Sequence, residues 1–366
     1  MVMALRRLLP PVALTGLLVL PRAAAAEDTA AAAERSVTIR RPALATAAAA
    51  VPGFFVPGVG HWVAGEPATG RRLLIAKGIG FGAFAAGGVA LFATGATRRA
   101  SAQIVAVMVG GSGLWFIPWL ADIYGVASGG APTGDPRTQL PRLEVDAGWA
   151  HVRDPQFAYD HFTFIDADLG LGAFRIRPSA WFAVGADNQR VRLDVARRVK
   201  GVGARPEPGD GDFFELASAV SYHRYGDDAF DVGGVEFAAR GRLDMVRIGP
   251  SLAGSFAEAE LGVGWERVDY SLDGASTDYN SQLLARFGYG LALGRRGEAT
   301  IYYDHRRDGY AQGLSPSENN GSGFLGSFGV DGFYYITSNV GLSAGYAMGA
   351  AHVARLAMRV QLGAAP

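Results

Sequence analysis

The sequence predicts a mostly β chain: an antiparallel transmembrane β-barrel of about 12 strands preceded by a Gly- and Ala-rich apolar helical hairpin. Three observations carry this. From Arg142 onward, segments of about ten residues alternate apolar with small or polar side chains, and turn clusters separate them, the period-two signal of strands. Residues 73–94 and 102–125 are each long and apolar enough to cross a bilayer. The 366 residues include 51 glycines and 11% aromatics but only 19% charged side chains, a balance that suits a wall facing lipid.

Composition also excludes. With 34 basic and 34 acidic side chains the formal net charge is zero, so nothing favours nucleic-acid phosphates as a partner. The chain has no cysteine, which removes disulfides, thiolate metal sites and a Cys nucleophile. No phosphate-cradling GxxxxGK[ST] run occurs.

Residues 1–26 have the three parts of a secretory signal. Arg6 and Arg7 form a basic start, 8–20 an apolar stretch broken by Pro10 and Pro11, and Ala23 to Ala26 a small-residue site before Glu27 and Asp28. Without a cysteine after that site a lipoprotein anchor is excluded. Residues 27–48 are Ala-rich with scattered charge and read as a flexible leader.

The hairpin region covers 49–127. Its two apolar stretches are joined by a short loop, 95–101, carrying Arg98 and Arg99. Gly78, Gly82 and Ala86 recur at i, i+4, i+8 and are expected to form the helix–helix contact. Ahead of them lies PGVGHWVAGEPATGRRLL, residues 57–74, with Gly58, Gly60, His61, Trp62, Gly65 and Gly70. This resembles the signature of TM2-type membrane domains: spaced glycines, a His–aromatic element, and a Gly leading into a first apolar helix. The departure is Trp62-Val63, where an aromatic pair is usual. The resemblance implies a two-helix membrane unit, and the family has no shared enzymatic activity to carry over. The four glycines are expected to form a structural motif of tight turns. His61 reads as a structural hydrogen-bonding residue, since no second His or carboxylate stands at ligand spacing.

Residues 128–141 are a Gly/Pro linker, and the barrel is expected over 142–363. In 283–293, Leu283, Ala285, Phe287, Tyr289, Leu291 and Leu293 share one face, and Arg286 lies on the other with Gly288 and Gly290. In 352–362, Leu356, Met358 and Val360 oppose Arg355, Arg359 and Gln361. In 340–348, Val340, Leu342 and Tyr346 oppose Gly341, Ser343 and Gly345. In 324–335, Phe328, Val330 and Tyr334 oppose Ser327, Asp331 and Tyr335. Large side chains on one face and small or charged ones on the other suit lipid outside and a polar lumen inside. Turn signals stand at 209–211, 226–228, 273–274, 294–297 and 318–323. Tyr302, Tyr303, Phe333, Tyr334 and Tyr335 near strand ends are expected to form an interfacial girdle. The region resembles bacterial outer-membrane β-barrel proteins, which implies membrane lipid as partner and the cell outer membrane as location. It departs at its last residues, Leu362-Gly363-Ala364-Ala365-Pro366, where an aromatic end is usual.

The linker constrains the topology. Residues 126–141 reach roughly 55 Å fully extended, too short to join two membranes across a periplasm. Hairpin and barrel are therefore expected at one membrane, with the hairpin as a plug, a flanking element or a periplasmic base. The alternative is an inner-membrane hairpin anchor carrying a periplasmic β domain, with Arg98 and Arg99 toward the cytoplasm.

Candidate chemistry is sparse. Ser221 and His223 share a strand face without a third orienting residue. Asp166 with Asp168, and Asp187 with Gln189, read as solvated or lumen charge. Arg286, Arg355, Arg359 and Asp331 are expected to face the lumen, either biasing permeation or pairing and sealing the barrel, with Arg190, Arg192, Arg240 and Arg242 on other strands. No catalytic, cofactor or metal residue is assigned. The expected role is structural or interactive in the cell envelope, with membrane lipid and other envelope proteins as partners. A small porin or solute transporter is the alternative, and a membrane-embedded hydrolase a third class.

Overall fold

In the computed structural model the described residues are 39–95, 98–134, 141–154, 160–201, 211–226, 230–271, 277–305, 310 and 326–363, without the side chains of 98–102. The expected export signal, most of the leader, and the turn signals at 209–210, 227–228, 273–274 and 318–323 lie outside them.

Twelve strands are found among the described residues: β1 Leu143–Arg153, β2 His161–Leu171, β3 Phe174–Ala183, β4 Asn188–Lys200, β5 Phe213–Tyr225, β6 Phe230–Asp244, β7 Ser255–Tyr270, β8 Asp278–Leu293, β9 Gly297–Asp304, β10 Ser327–Tyr335, β11 Val340–Met348 and β12 His352–Leu362. Each is antiparallel to the next, and β1 closes the ring on β12 from Leu143 opposite Leu362 to Arg153 opposite His352. Closure leaves no edge, so every strand pairs its backbone groups on both sides, which lipid demands. Both ends of the barrel segment, with the strand ends joined through 172–173, 201–212, 245–254, 294–296 and 336–339, lie at one rim, here the terminal rim. The strand ends joined through 154–160, 184–187, 226–229, 271–277, 305–326 and 349–351 lie at the other, the loop rim. The two-residue turn at 172–173 holds Gly172 at φ 63°, the left-handed backbone such hairpins require.

Among the described residues five helices precede the wall: α1 Pro42–Ala50, α2 Pro52–Phe55, α3 Val59–Ala64, α4 Pro67–Ala93 and α5 Arg98–Ala127. The first of them, α1, lies mostly within the stretch expected as a flexible leader. Proline at the first turn and an Ala-rich run favour helix, and Ala45 and Ala49 are fully buried. The close contact between α4 and α5 does not use Gly78 and Gly82, which face open space. It uses Gly80 and Gly111, where an added Cβ would stand 2.7 Å from the other's carbonyl oxygen. Two residues turn a helix by about 200°, so the expected spacing lay on the opposite face.

The hairpin flanks the barrel and does not plug it. Leu73, Ala121 and Tyr124 share a buried core with Met245, Leu252 and Tyr289, and Ile117, Leu120, Ala257 and Leu291 pack on it. Ala257, Tyr289 and Leu291 are odd-numbered positions of β7 and β8, and their outward-facing equivalents elsewhere on the wall, such as Leu261, Val263 and Ile301, are exposed. Gly113 of α5 lies so flat on the wall that a Cβ there would meet the Phe287 ring at 2.8 Å. The linker is also tied down: Tyr124 donates its hydroxyl to the Ala253 carbonyl at 2.8 Å, and Gly134 bridges Gly294.

Candidate functional site

Which face is the interior follows from ion pairs that skip strands. Arg177 on β3 reaches Glu215 on β5 with two hydrogen bonds, 2.9 and 3.2 Å. Arg240 on β6 reaches Asp194 on β4 at 2.9 and 2.6 Å, and Arg192 on β4 reaches Glu236 on β6 at 2.6 and 2.7 Å. Arg242 on β6 grips Glu298 on β9 at 3.1 and 2.8 Å, past two intervening strands. Strands stand about 4.8 Å apart along the wall, so such pairs form only where chords shorten, on the concave side. Strand alternation then assigns every other residue.

Arg286, Arg355, Arg359 and Asp331 all lie on that concave face. Arg355 donates to Asp331 at 2.6 Å, and Arg286 stands 3.8 Å from the same carboxylate with its guanidinium over the Tyr302 ring at 4.3 Å. Arg359 is held elsewhere, by Asp146 at 2.8 and 2.6 Å, and rests on the Phe333 ring at 4.4 Å. Tyr335 donates to Glu144 at 2.6 Å. The expected girdle is therefore split. Tyr303 and Tyr334 face outward, but Tyr302, Phe333 and Tyr335 face inward, because neighbours on a strand cannot share a face. Asp168 pairs with Arg175 and Arg177, and Asp166 accepts from Ser179, so these two carboxylates are spoken for. Asp187 is paired with Arg224 at 2.8 Å.

Toward the loop rim the interior turns apolar. Ala150, Val152, Phe162, Phe164, Trp181, Tyr225, Val232, Val268 and Val353 form one buried cluster. Tyr310, from the connection after β9, enters it: its ring lies 4.6 Å from Phe162 and 5.5 Å from Trp181, and its hydroxyl donates to Asn188 at 2.9 Å. His223 belongs here, stacked on Tyr225 and within 3.1 Å of Asn188, not beside a reactive Ser221. Strand parity could have found this cluster, since Phe162 and Phe164 are in step with Asp166 and Asp168. Within the charged zone is a cavity of about 430 Å³, lined by carboxylates and guanidinia that include Asp146, Asp168, Arg177, Asp194 and Arg359, and reaching the aromatic cluster at Trp181.

A second polar cluster sits at the helix–barrel junction. Asp122 on α5 accepts from the backbone N–H groups of Gly58, Gly60 and His61 at 2.8, 3.2 and 3.1 Å, and from His61 Nδ1 at 2.6 Å. The other ring nitrogen, Nε2, lies 3.1 Å from Ser251 Oγ in the turn between β6 and β7, and Ser251 donates to Glu66 at 2.5 Å. The sequence reading of His61 missed both carboxylates, because Asp122 and Glu66 reach it through the fold. Gly58 and Gly70 make the approach possible: Gly58 has φ 90°, and an added Cβ would strike the Gly70 carbonyl. Gly60 packs under Asp122 and Ala49, and Gly65, also at positive φ, closes α3.

Asp122, His61 and Ser251 stand in the order of a nucleophilic relay. The chemistry does not follow. All three are essentially without solvent contact, and the serine hydroxyl donates its one proton to Glu66 instead of to His61 Nε2. The cluster joins α3, α5 and the β6–β7 turn as a polar latch.

A closed antiparallel barrel with an even number of strands, apolar outside and charged inside, is the wall of an outer-membrane protein. A water-soluble periplasmic β domain on an inner-membrane anchor does not fit: the wall's outer face carries exposed Leu342, Tyr346, Leu356 and Met358, and the hairpin is seated on it.

No family model matches the chain, and no curated protein matches it. Among solved structures it is similar to the outer membrane protein Omp33 of Acinetobacter baumannii, at 8% identity over 61% of this chain and 98% of that one, with a TM-score of 0.30. It is similar to the translocator domain of the autotransporter NalP from Neisseria meningitidis, at 12% identity over 61% and 90%, with a TM-score of 0.33. The KdgM porin, solved with oligogalacturonate, shares 7% identity over 60% and 99%, with a TM-score of 0.38. Nothing about solute or mechanism passes to this chain from scores so low.

Proposed function

We propose that this protein is a sealed outer-membrane barrel with a structural or interaction role in the envelope, presenting a docked helical hairpin within the membrane. The carrying observation is the obstructed interior: Arg–carboxylate pairs cross the terminal side, and an aromatic cluster that includes Tyr310 packs the loop side. Exposed Ile75, Ile79, Phe81, Val89 and Phe92 make the free face of α4 apolar, a face for lipid or for an envelope partner's transmembrane segment. The TM2-like reading of 57–125 fits this role, since Asp122 and the glycines build a unit that holds its place by hydrogen bonds and needs no reaction.

The second reading, a small porin, is favoured by the charged cavity, which would hold a small polar solute if the aromatic cluster opened. Planar-bilayer recording separates the two. The sealed reading expects no steady conductance from the purified barrel, and conductance appearing when Trp181 and Tyr310 are both replaced by Ala. Steady, ion-selective steps from the unaltered protein would overturn it in favour of the porin.

A further inference from the structure

The loop rim carries a group of side chains that neither the sealed interior nor the latch uses. His151 on β1 and His161 on β2 are direct cross-strand partners, with ring centroids 5.1 Å apart. Both point away from the interior, since their neighbours Ala150 and Phe162 belong to the inner cluster. Asp160 precedes His161, its carboxylate 3.5 Å from His161 Nε2. One ligand atom from each of His151, Asp160 and His161 lies within 4.8 Å of the other two.

Trp149, two residues earlier on the same face, stacks on His151 at 14° between planes and lies 5.4 Å from His161, so both rings are braced from one side. His161 and Asp160 remain open to solvent, 47% and 58% exposed at the side chain. His151 Nδ1 is buried and meets no hydrogen-bond partner among the described residues. Two imidazoles placed opposite each other gain nothing by themselves, and if both carry charge they repel. Two other histidines at this rim have tyrosine partners at Nδ1: His352 with the Tyr346 hydroxyl at 2.7 Å and His305 with the Tyr303 hydroxyl at 2.9 Å.

We propose that His151, His161 and Asp160 bind a first-row divalent cation of the zinc type. Two neutral imidazole nitrogens and one carboxylate oxygen are its preferred donors, and the exposed side leaves a position for water. A bound cation would staple β1 to β2 at the base of the 154–160 connection, on the strand that closes the ring.

The test is a zinc titration of tag-free, detergent-folded barrel, followed by calorimetry and by tryptophan emission, with cobalt absorption as a second signal. One ion per barrel is expected, with affinity falling more than about tenfold in His151→Ala and in His161→Ala and unchanged in His352→Ala. Folding of each variant is checked by its gel mobility before heating. If His151→Ala does not fold, exposed His161→Gln carries the test. Absence of saturable binding to the unaltered protein, or equal affinity in the folded His161 variants, would overturn the proposal.

Discussion

Asp122 shows how much one side chain carries. It accepts four hydrogen bonds, three from consecutive-turn backbone amides that otherwise have no helical partner. Asp122→Ala strands all four donors in a dry site. We expect a loss of about 3 kcal/mol or more in the stability of the helical region, read as protease cleavage within 42–127 while the barrel still runs fast on an unheated gel. Ser251→Ala removes a single hydroxyl, and about 1 kcal/mol is expected. A much larger effect of Ser251→Ala on any cellular activity than on stability would reopen the relay reading. In the interior, Arg355→Ala leaves Asp331, among the described residues, with only Arg286 at 3.8 Å. It is expected to lower the urea midpoint by the equivalent of about 3 kcal/mol, whereas Arg355→Ala with Asp331→Ala together cost less than the single change.

Elements were unequally legible in the sequence. Strands were plain because alternation is local: Leu356, Met358 and Val360 against Arg355 and Arg359 assign both faces of β12 before any partner is known. The helix contact was misread at the same local level. Gly78, Gly82 and Gly80 all offer a small residue, and only the position of α5 selects among them. A direct check follows. Gly80→Ala forces the hairpin apart at Gly111 and is expected to lower its melting temperature. Gly78→Ala meets open space and is expected to leave it unchanged or to raise it, through a stability gain of at most about 1 kcal/mol from helix propensity. Equal effects, followed by helical circular dichroism, would show that the α4–α5 contact is elsewhere. The latch was not legible at all. His61, Asp122 and Ser251 come from three distant segments: packing of α3 on α5 brings His61 to Asp122 at 2.6 Å, and docking of the helices on the barrel adds Ser251 at 3.1 Å.

At the scale of the molecule, the hairpin's seat was hidden for a physical reason. Phe287, Tyr289 and Leu291 present the same apolar face whether they meet lipid or helix, so alternation cannot tell a bare wall from a covered one. The short linker did require both parts at one membrane, and the fold resolves the choice among plug, flank and base in favour of the flank. The most direct measurement uses the absence of native cysteine. An ideal Cβ at Gly113 stands 3.0 Å from Phe287 Cβ, close to the range a disulfide spans. Gly113→Cys with Phe287→Cys, oxidised in cells and followed by fractionation, is predicted to give an intramolecular cross-link in the outer-membrane fraction, on a barrel that still runs fast unheated. An uncross-linked protein in the inner-membrane fraction, with mobility indifferent to heating, would contradict both the barrel's location and the hairpin's place on its wall.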